Sequence, residues 1–222
     1  MKLTYVGHAC IMVEENGKTV VIDPFLTDPV SAKKKFPQLF SPDYVFLTHG
    51  HDDHIGALSD VCRPQTKIVG IVELCSYLRE RGYKNVYGMN FGGTVDFGDV
   101  RVSLVPAVHT SSVSGRYLGA PAGVVFTFGK KTFYHMGDTD VFGDMAYVEK
   151  FYRPQIGFVP IGGRYTMDAE KAAFCCNTFF RFEKIIPIHY NTFAGIQADP
   201  EDFAKITNSD VLPLSPLSSL EL

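Results

Sequence analysis

The chain has 222 residues, of which 45% are hydrophobic, and a formal net charge of −3 at pH 7. This length and apolar content suffice for one α/β domain, and no Pro/Gly/Ser-rich linker divides residues 1–222, so we expect a single domain. The mildly acidic balance argues against a nucleic-acid partner, which requires a basic stripe to neutralise phosphates, and the only basic run is at 33–35.

The N-terminal segment and the cysteines predict where the protein works. Residues 1–6 form a short strand pattern and lack the basic and apolar regions of a signal peptide. No stretch approaches the ~18 consecutive apolar residues of a membrane span. The five cysteines form no Cys-x-x-Cys pair, and their odd number argues against a disulfide framework. We therefore expect a cytoplasmic protein with reduced thiols and no membrane partner, and a homo-oligomer is compatible with the sequence.

The first half of the chain alternates strand patterns with helical ones. Asn16 and Gly17 form a strong hairpin signal between two early strands. Residues 24–43 are predicted as a long loop, and helices are predicted over 55–61 and 72–81. The strands are predicted at 2–6, 10–15, 18–23, 44–48, 67–70, 85–88, 94–97 and 100–107.

The second half repeats this mixture. Its strands are predicted at 123–128, 132–136, 156–161 and 185–189, and its helices around 145–151 and from about 169 to 181. The side chain of Asp168 can cap the last of these helices. Hairpins mixed with helices fit two mixed sheets that pack on each other with the helices outside, which is an α/β architecture.

Directly after an apolar strand pattern, residues 48–54 read Thr-His-Gly-His-Asp-Asp-His. A strand end holds its first residue rigidly, and the following turn lets nearby side chains converge. The groups that can reach one small volume are His49, His51, Asp53 and His54. Imidazole together with carboxylate suits zinc, manganese or iron better than calcium or magnesium. Because one catalytic metal takes about three protein ligands, these candidates indicate two metals.

Three further ligand-type residues also stand at the ends of strand patterns. They are His109, Asp138 and His189. Rigid scaffolds present functional groups at such positions, where a loop begins.

In this order, the seven residues resemble the ligand series of the metallo-β-lactamase superfamily. The segments at 136–139, 160–163 and 189–193 resemble, more closely, a group of small metal-dependent hydrolases similar to L-ascorbate-6-phosphate lactonase. The resemblance implies an αβ/βα four-layer sandwich and two divalent metal ions, zinc or manganese, with iron as the further candidate. It implies one site with His49, His51 and His109, a second with Asp53, His54 and His189, and Asp138 bridging the two.

The ligand set predicts hydrolysis. A bound metal lowers the pKa of its water to about 7, and two metals can hold one hydroxide while they polarise the oxygen under attack. No Gly-x-Ser-x-Gly nucleophile elbow is present. We therefore expect a metal-bridging hydroxide to cleave an ester, lactone or phosphodiester bond of a small anionic substrate. Asp53 and Asp138 are the catalytic candidates for proton transfer, and the sequence does not decide between them.

Four residues near the motifs have supporting or structural interpretations. His8 is predicted to support the site by a hydrogen bond, with a turn histidine as the alternative. Asp23 is predicted to orient a ligand histidine or the motif turn. His135 is predicted as a packed core histidine. Asp140 stands where many relatives carry a small residue, so its carboxylate is a candidate to alter the ligand surroundings or the preferred metal.

Substrate recognition is predicted from residues on strand-end loops. Arg164 and Arg116 can each hold a phosphate or carboxylate in bidentate fashion, with plain surface arginines as the alternative. Tyr190 and Asn191 follow a ligand histidine directly, and the resemblance to the lactonase suggests that they contribute a hydrogen-bonding group.

Single residues argue against several other functions known for the same fold class. His51 argues against a di-iron redox protein, which typically has glutamate there, and Asp138 argues against a β-lactamase with a thiolate ligand. A hydroxyacylglutathione hydrolase would carry a further C-terminal helical region. A ribonuclease-like phosphodiesterase uses the same ligands and stays the main enzymatic alternative. A non-catalytic metal- or ligand-binding regulator is the alternative from another class.

Overall fold

The computed structural model describes all residues 1–222 and contains two seven-stranded sheets. The strands of the first sheet are β1 (Lys2–Gly7), β2 (Cys10–Glu15), β3 (Lys18–Ile22), β4 (Tyr44–Phe46), β5 (Lys67–Ile71), β6 (Val86–Met89) and, from the C-terminal region, β16 (Ser218–Glu221). Their order in space is β16-β1-β2-β3-β4-β5-β6. The pairs from β16 to β3 are antiparallel, and those from β3 to β6 are parallel, so the sheet is mixed.

The second sheet takes its strands from the rest of the chain. They are β7 (Thr94–Asp96), β8 (Val100–Pro106), β11 (Ala122–Phe128), β12 (Lys131–His135), β13 (Ile156–Pro160), β14 (Lys184–Ile188) and β15 (Asp210–Val211). Their order is β15-β14-β13-β12-β11-β8-β7, with parallel pairs from β12 to β15 and antiparallel pairs elsewhere. A separate short hairpin consists of β9 (Ser112–Val113) and β10 (Arg116–Tyr117).

The two sheets pack face to face, and the alternation of side chains along β11 shows how. Val124 and Phe126 belong to the large core cluster that also contains the first sheet, whereas Val125 points to a second apolar cluster. Because neighbouring strand residues face opposite sides of a sheet, β11 is covered on both faces. The ring of Phe126 lies 5.7 Å from the ring of Phe46 of β4, which joins the two sheets.

Seven helices contribute apolar side chains to the two core clusters. They are α1 (Pro29–Lys35), α2 (Asp52–Ile55), α3 (Leu58–Val61), α4 (Val72–Glu80), α5 (Met145–Tyr152), α6 (Ala169–Phe179) and α7 (Pro200–Ile206). Asp168 caps α6 as predicted, since its Oδ1 accepts a hydrogen bond from the N–H of Lys171 at 2.8 Å. None of the helices has the length and hydropathy needed to cross a membrane. The structure thus has the α/β sandwich architecture predicted from the sequence.

Two predictions of local structure were wrong, and one region had no prediction. Residues 24–43 are not a continuous loop, because α1 and a 3-10 turn (Pro37–Phe40) form there, each with proline in its first turn. The helix predicted over 55–61 is two short helices, and the first begins at Asp52, inside the motif. No element was predicted after 189, where α7, β15 and β16 form. Their patterns are short, and β15 and β16 exist only because each pairs with a strand remote in sequence.

All strands that lead to the predicted site residues end at the same edge of the sandwich. In the first sheet β1 and β3 are both antiparallel to β2, so both run toward this edge, and β4 is parallel to β3. In the second sheet β8 and β12 are both antiparallel to β11, and β14 runs parallel to β12 through β13. The loops after these strands therefore meet along one line between the two sheets.

Candidate metal centre

The motif after β4 begins as extended chain and ends as a helix. His51 has extended backbone dihedrals and occupies the N-cap position of α2, so Asp53 and His54 lie in the first turn of that helix. Acidic side chains are favourable there, because the unpaired N–H groups give a helix N-terminus a partial positive charge. From this position Asp53 joins the second of two groups of side chains, and His54 lies between the groups, with its ring centre 4.1 Å from that of His49 and its ligand atom within 4.8 Å of those of His49 and Asp138.

The first of these, called the histidine group, consists of His49, His51 and His109. One ring nitrogen from each lies within 4.8 Å of the other two. His49 Nε2 and His51 Nδ1 are 2.9 Å apart, and the ring of His109 lies 5.2 and 5.1 Å from those of His49 and His51. His49 is fully buried and the other two are partly exposed, so the group opens to solvent on one side.

The second, called the mixed group, consists of Asp53, His54 and His189. Their ligand atoms, together with one from His8, also lie within 4.8 Å of one another. Asp53 Oδ2 is 3.7 Å from His189 Nε2, and His189 has a backbone φ of 56°. Few residues adopt this left-handed conformation, and here it follows directly after β14 and turns the imidazole into the site.

Asp138 stands between the two groups. Its Oδ1 is 3.3 Å from His54 Nε2, and its Oδ2 is 3.1 Å from His189 Nε2 and 3.4 Å from His109 Nε2. Asp138 is buried, and its neighbour Gly137 has a φ of 64°, which lets the chain turn sharply after β12. One carboxylate therefore faces histidines of both groups.

Asp23 organises the motif from behind. Its carboxylate accepts hydrogen bonds from the N–H and the hydroxyl of Thr48 at 2.8 and 2.6 Å, and it lies 2.8 Å from His54 Nδ1. The Thr48 oxygen in turn lies 2.9 Å from His49 Nδ1. Because the Thr48 hydroxyl donates to Asp23, its oxygen can only accept from His49, so both imidazoles carry a proton on Nδ1, and it is Nε2 that each directs toward the site.

His8 supports Asp53 in a similar way. Its Nε2 is 3.2 Å from Asp53 Oδ2 and its Nδ1 is 3.0 Å from Thr192 Oγ1. Burial lowers the pKa of His8 to about 4, so the ring is neutral at pH 7 and donates through one nitrogen only. Both ring nitrogens have partners, which makes His8 a support for Asp53 rather than a ligand.

The two groups differ in protonation. Burial lowers the pKa of His49 well below its ordinary value and also lowers those of His51 and His109. Burial alone would do the same in the mixed group, but Asp138 and Asp23 hold the pKa of His54 well above its ordinary value. Against the same effect of burial, Asp138 and Asp53 raise the pKa of His189 to about 9.

The carboxylates respond in the opposite direction. Burial alone would raise the pKa of Asp138 and of Asp53, but the histidines around them hold both values well below the ordinary range. Both carboxylates are therefore ionised, and every ion pair that either of them makes is with a histidine.

Buried atoms without hydrogen-bond partners show that this donor set fits a metal. Four of the seven such side-chain atoms in the chain belong to the site, namely His54 Nε2, Asp138 Oδ1 and both ring nitrogens of His189. An unsatisfied buried polar group costs about 1–3 kcal/mol, and a charged one costs more. Metal ions bound between the imidazoles and carboxylates would satisfy these atoms with the ligands that zinc and manganese accept.

Two residues near the ligands do not belong to the site. His135 is buried in the core, where its Nε2 donates to the carbonyl of Ala9 at 2.8 Å and its Nδ1 accepts from the N–H of Gly137 at 3.1 Å. The half-exposed side chain of Asp140 accepts from its own loop and lies 3.5 Å from Lys171 Nζ. Its carboxylate contacts none of the predicted ligands, so the structure shows no direct influence on them.

The predicted substrate residues have different surroundings. Arg116 forms a two-pronged ion pair with Glu80, so its guanidinium is already occupied. The side chain of Asn191 donates to the carbonyl of Ala198 and accepts from its N–H, both at 3.0 Å, and thereby closes a loop. Neither is free for a substrate, because each would first have to give up these bonds.

Tyr190 and Arg164 have fewer fixed contacts. Tyr190 is half-buried and lines a cavity of about 510 Å³ beside His8 and Thr192. Arg164 is exposed with a φ of 22°, and its side chain lies against Gly195, where an added Cβ would be 3.2 Å from its Nη1. Among the predicted substrate residues, Arg164 is thus the cation that no carboxylate pairs with.

Several supporting residues had not been predicted from the sequence. Thr48 joins Asp23 to His49, and Thr192 holds His8. Ser111 accepts at its hydroxyl from the N–H of Gly50 at 3.0 Å, which fixes the motif turn. A hydroxyl residue inside a ligand motif was the only available signal, and it existed for Thr48 alone.

A sandwich of two mixed sheets with a histidine- and aspartate-lined metal centre at one edge defines a class of metal-dependent enzymes. The family model described as Beta-lactamase superfamily domain matches residues 2–189. The chain belongs to the metallo-β-lactamase superfamily and is one of its metal-dependent hydrolases.

Its relatives agree with this class. The chain is 41% identical over 210 residues to a UPF0173 metal-dependent hydrolase of Methylocella silvestris, with 91% of this chain and 90% of the relative covered. It is 37% identical over 229 residues to one of Staphylococcus aureus (strain MRSA252), with 100% of both covered. Among solved structures, Igni18, a metallo hydrolase from the archaeon Ignicoccus hospitalis, has a TM-score of 0.88 at 33% identity, over 100% of this chain and 98% of that one.

A more remote structure shares the fold alone. The isothiocyanate hydrolase from Delia radicum gut bacteria has a TM-score of 0.79 at 20% identity, with 100% of this chain and 99% of that chain covered. The sandwich is therefore retained where most of the sequence has changed.

Proposed function

We propose that the protein is a binuclear hydrolase that cleaves an ester, lactone or phosphodiester bond of a small anionic substrate, with zinc or manganese as its metal. One observation carries the binuclear assignment: the buried Asp138 carboxylate contacts histidines of both groups, with Oδ1 3.3 Å from His54 Nε2 and Oδ2 3.1 and 3.4 Å from His189 Nε2 and His109 Nε2. A carboxylate that contacts both groups is suited to be shared by two metal ions.

Two bound metal ions would supply an activated water as nucleophile and would polarise the oxygen under attack. The protein's own residues hold the ligands in place for this chemistry. Asp23 and Thr48 fix the proton of His49 and His54 on Nδ1, and His8 orients Asp53 through its hydrogen bond. The ligands are thus ordered by hydrogen bonds that do not depend on the metal.

Proton transfer is assigned to Asp53 because of its exposure. The side chain of Asp53 is 30% exposed, whereas that of Asp138 is 3% exposed. A group that passes a proton to the leaving group must exchange it with solvent or substrate, and Asp53 is the carboxylate that both can reach. Asp138 is left with the bridging role.

Anion recognition is assigned to Arg164. Its guanidinium lies beside Gly195 on the loop that follows His189, and it makes no ion pair with a carboxylate. A planar guanidinium can hold a phosphate or carboxylate by two parallel hydrogen bonds.

The proposal is tested by metal content and turnover together. Protein purified without added metal is analysed by mass spectrometry, and zinc- and manganese-loaded forms are then assayed on lactones, esters and phosphodiesters. We expect two metal ions per chain and turnover of one of these classes. The matched control is Asp140→Asn, which removes a neighbouring carboxylate without touching a ligand and should retain both ions. One ion per chain, or none, would overturn the binuclear assignment.

A further inference from the structure

Two large apolar side chains are exposed on either side of the metal centre. Val108 is 51% exposed and directly precedes His109, and Phe193 is 44% exposed on the loop after His189. Single exposed apolar residues are ordinary on protein surfaces. These two differ because their backbones are held rigidly beside the ligands.

Phe193 packs against His8, which in turn contacts Asp53 of the mixed group. Its ring lies 5.2 Å from the ring of His8, whose Nε2 is 3.2 Å from Asp53 Oδ2. Phe25 fills the space behind it, with its ring 5.4 Å from His8 and 5.9 Å from Phe193. The two phenylalanines and His8 therefore form an aromatic wall along the Asp53 side of the centre.

The loop that carries Phe193 is closed at its base. Asn191 makes two hydrogen bonds to the backbone of Ala198, and the N–H of Asn191 donates to the carbonyl of Ile196 at 2.8 Å. Phe193 lies near the tip of this closed loop, so its ring is presented to solvent by a supported backbone.

Val108 is fixed on the opposite side. Its N–H donates to Thr139 Oγ1 at 3.0 Å, and its carbonyl accepts from the N–H of Asp140 at 3.2 Å. Both of its backbone groups are thus bound to the loop that carries Asp138. The backbone of Val108 is therefore held next to His109 and the loop that carries Asp138.

Charged side chains do not account for the surroundings of Phe193 and Val108. The ion pairs of Asp53 and Asp138 involve only histidines, and Arg116 is paired with Glu80. Arg164 lies against Gly195, two residues after Phe193, so one cation stands at one end of an otherwise apolar wall.

We infer that the substrate carries an apolar alkyl or aryl group next to the bond that is cleaved, and that this group packs on Phe193 and faces Val108. The inference rests on the proposed function and narrows its substrate to an amphiphilic one, with the anionic oxygen toward Arg164 and the apolar part against the aromatic wall. Each fully buried CH₂ of such a group would strengthen binding about fourfold.

Binding of simple hydroxamates, which chelate metals, tests this without turnover. Isothermal calorimetry on zinc-loaded protein compares acetohydroxamate, benzohydroxamate and octanohydroxamate. We expect the two apolar compounds to bind at least about tenfold more tightly than acetohydroxamate. Phe193→Ala should remove most of this gain, Phe193→Leu should keep most of it, and zinc content should not change in either.

Phe174→Ala is the matched control, because Phe174 is an exposed phenylalanine on α6 away from the centre. It should leave all three affinities unchanged. Equal affinities for the three hydroxamates, or an equal loss in Phe174→Ala, would overturn the apolar wall and leave the binuclear proposal standing. Protein that retains no zinc and binds no hydroxamate would overturn both.

Discussion

The histidine group and the mixed group lie side by side at one edge of the sandwich, yet they are prepared differently for a metal. His49, His51 and His109 have lowered pKa values and are neutral at pH 7. His54 and His189 are held protonated by the carboxylates of Asp138, Asp23 and Asp53. A metal ion can bind the first group directly, whereas it must displace protons from the second.

The difference shows how a metal-free site stays folded. Three neutral imidazoles need no countercharge, but the buried carboxylates of Asp23 and Asp138 would be costly without a cation. The protons on His54 and His189 supply the positive charge that metal would otherwise bring. The mixed group is thus stabilised in two alternative states, one protonated and one metal-bound.

Removal of the shared carboxylate should have the largest effect. Asp138→Ala should lower the content of both metals and reduce turnover by more than about 100-fold, because both groups lose a ligand. Mass spectrometry measures the metals, and circular dichroism checks that the variant folds. Retention of two ions by folded Asp138→Ala would show that the groups do not share this carboxylate.

Removal of His189 should separate the two groups. In His189→Ala the metal content should fall from about two ions to about one, since only the mixed group loses a ligand. The complementary variant His51→Ala should leave the ion of the mixed group in place. A loss of both ions in each variant would mean that the two groups bind metal as one unit.

Protonation of the mixed group should be measurable during metal binding. The neighbouring carboxylates raise the pKa of His54 well above its ordinary value and that of His189 to about 9, so both carry protons that a metal must displace, and saturation with zinc at pH 7 should release about two protons per chain. Calorimetry in buffers of different ionisation enthalpy counts them. His189→Ala, which is expected to lose the ion of the mixed group, should lose most of this proton release, and an unchanged count would contradict the protonated state of the mixed group.

Arg164 is linked to the mixed group because it contacts Gly195, on the loop that follows His189. Arg164→Lys keeps the charge but loses the planar fork. The fall in kcat/KM for an anionic substrate should correspond to a loss of about 1–3 kcal/mol of transition-state stabilisation, and both metals should stay bound. Arg116→Lys is the control, because its partner is Glu80. Equal kcat/KM in wild type and Arg164→Lys would move anion recognition elsewhere.

The smallest expected effect is on the stability of metal-free protein. The raised pKa of His189, about 9 against an ordinary 6.5, means that its stabilisation is fully present below pH 6.5 and is lost as pH rises through about 9. The difference in free energy of unfolding between metal-free wild type and His189→Gln should therefore shrink over this window. Urea titrations at the two ends measure it, and a constant difference would contradict the pairing.

Most strands of the two sheets and the seven candidate ligands could be predicted from the sequence, because strands and ligand motifs are both local patterns. Apolar strands end shortly before His49, Asp138 and His189, at Phe46, His135 and Ile188, and strand direction then carries the ends to one edge. The division into two groups followed from a resemblance, and the helix start at Asp52, which places Asp53 and His54 in a first helical turn, was not predicted.

What the sequence did not reveal depends on contacts between remote segments. Thr192 meets His8 across 184 residues, and Arg116 meets Glu80 across 36. No local pattern distinguishes an arginine that a glutamate will bind from one left free for a substrate. The roles of supporting and substrate residues therefore needed the fold.

The pairing of β1 with β16 has a consequence for how the protein is made. The register joins Lys2 to Glu221, so β1 gains its outer neighbour only after the ribosome has synthesised all the residues from β1 to β16. Until then the long edge of β1 is open to pairing with other nascent chains. The proposed metal centre also includes His189, so its full set of candidate ligands exists only after translation has passed that residue.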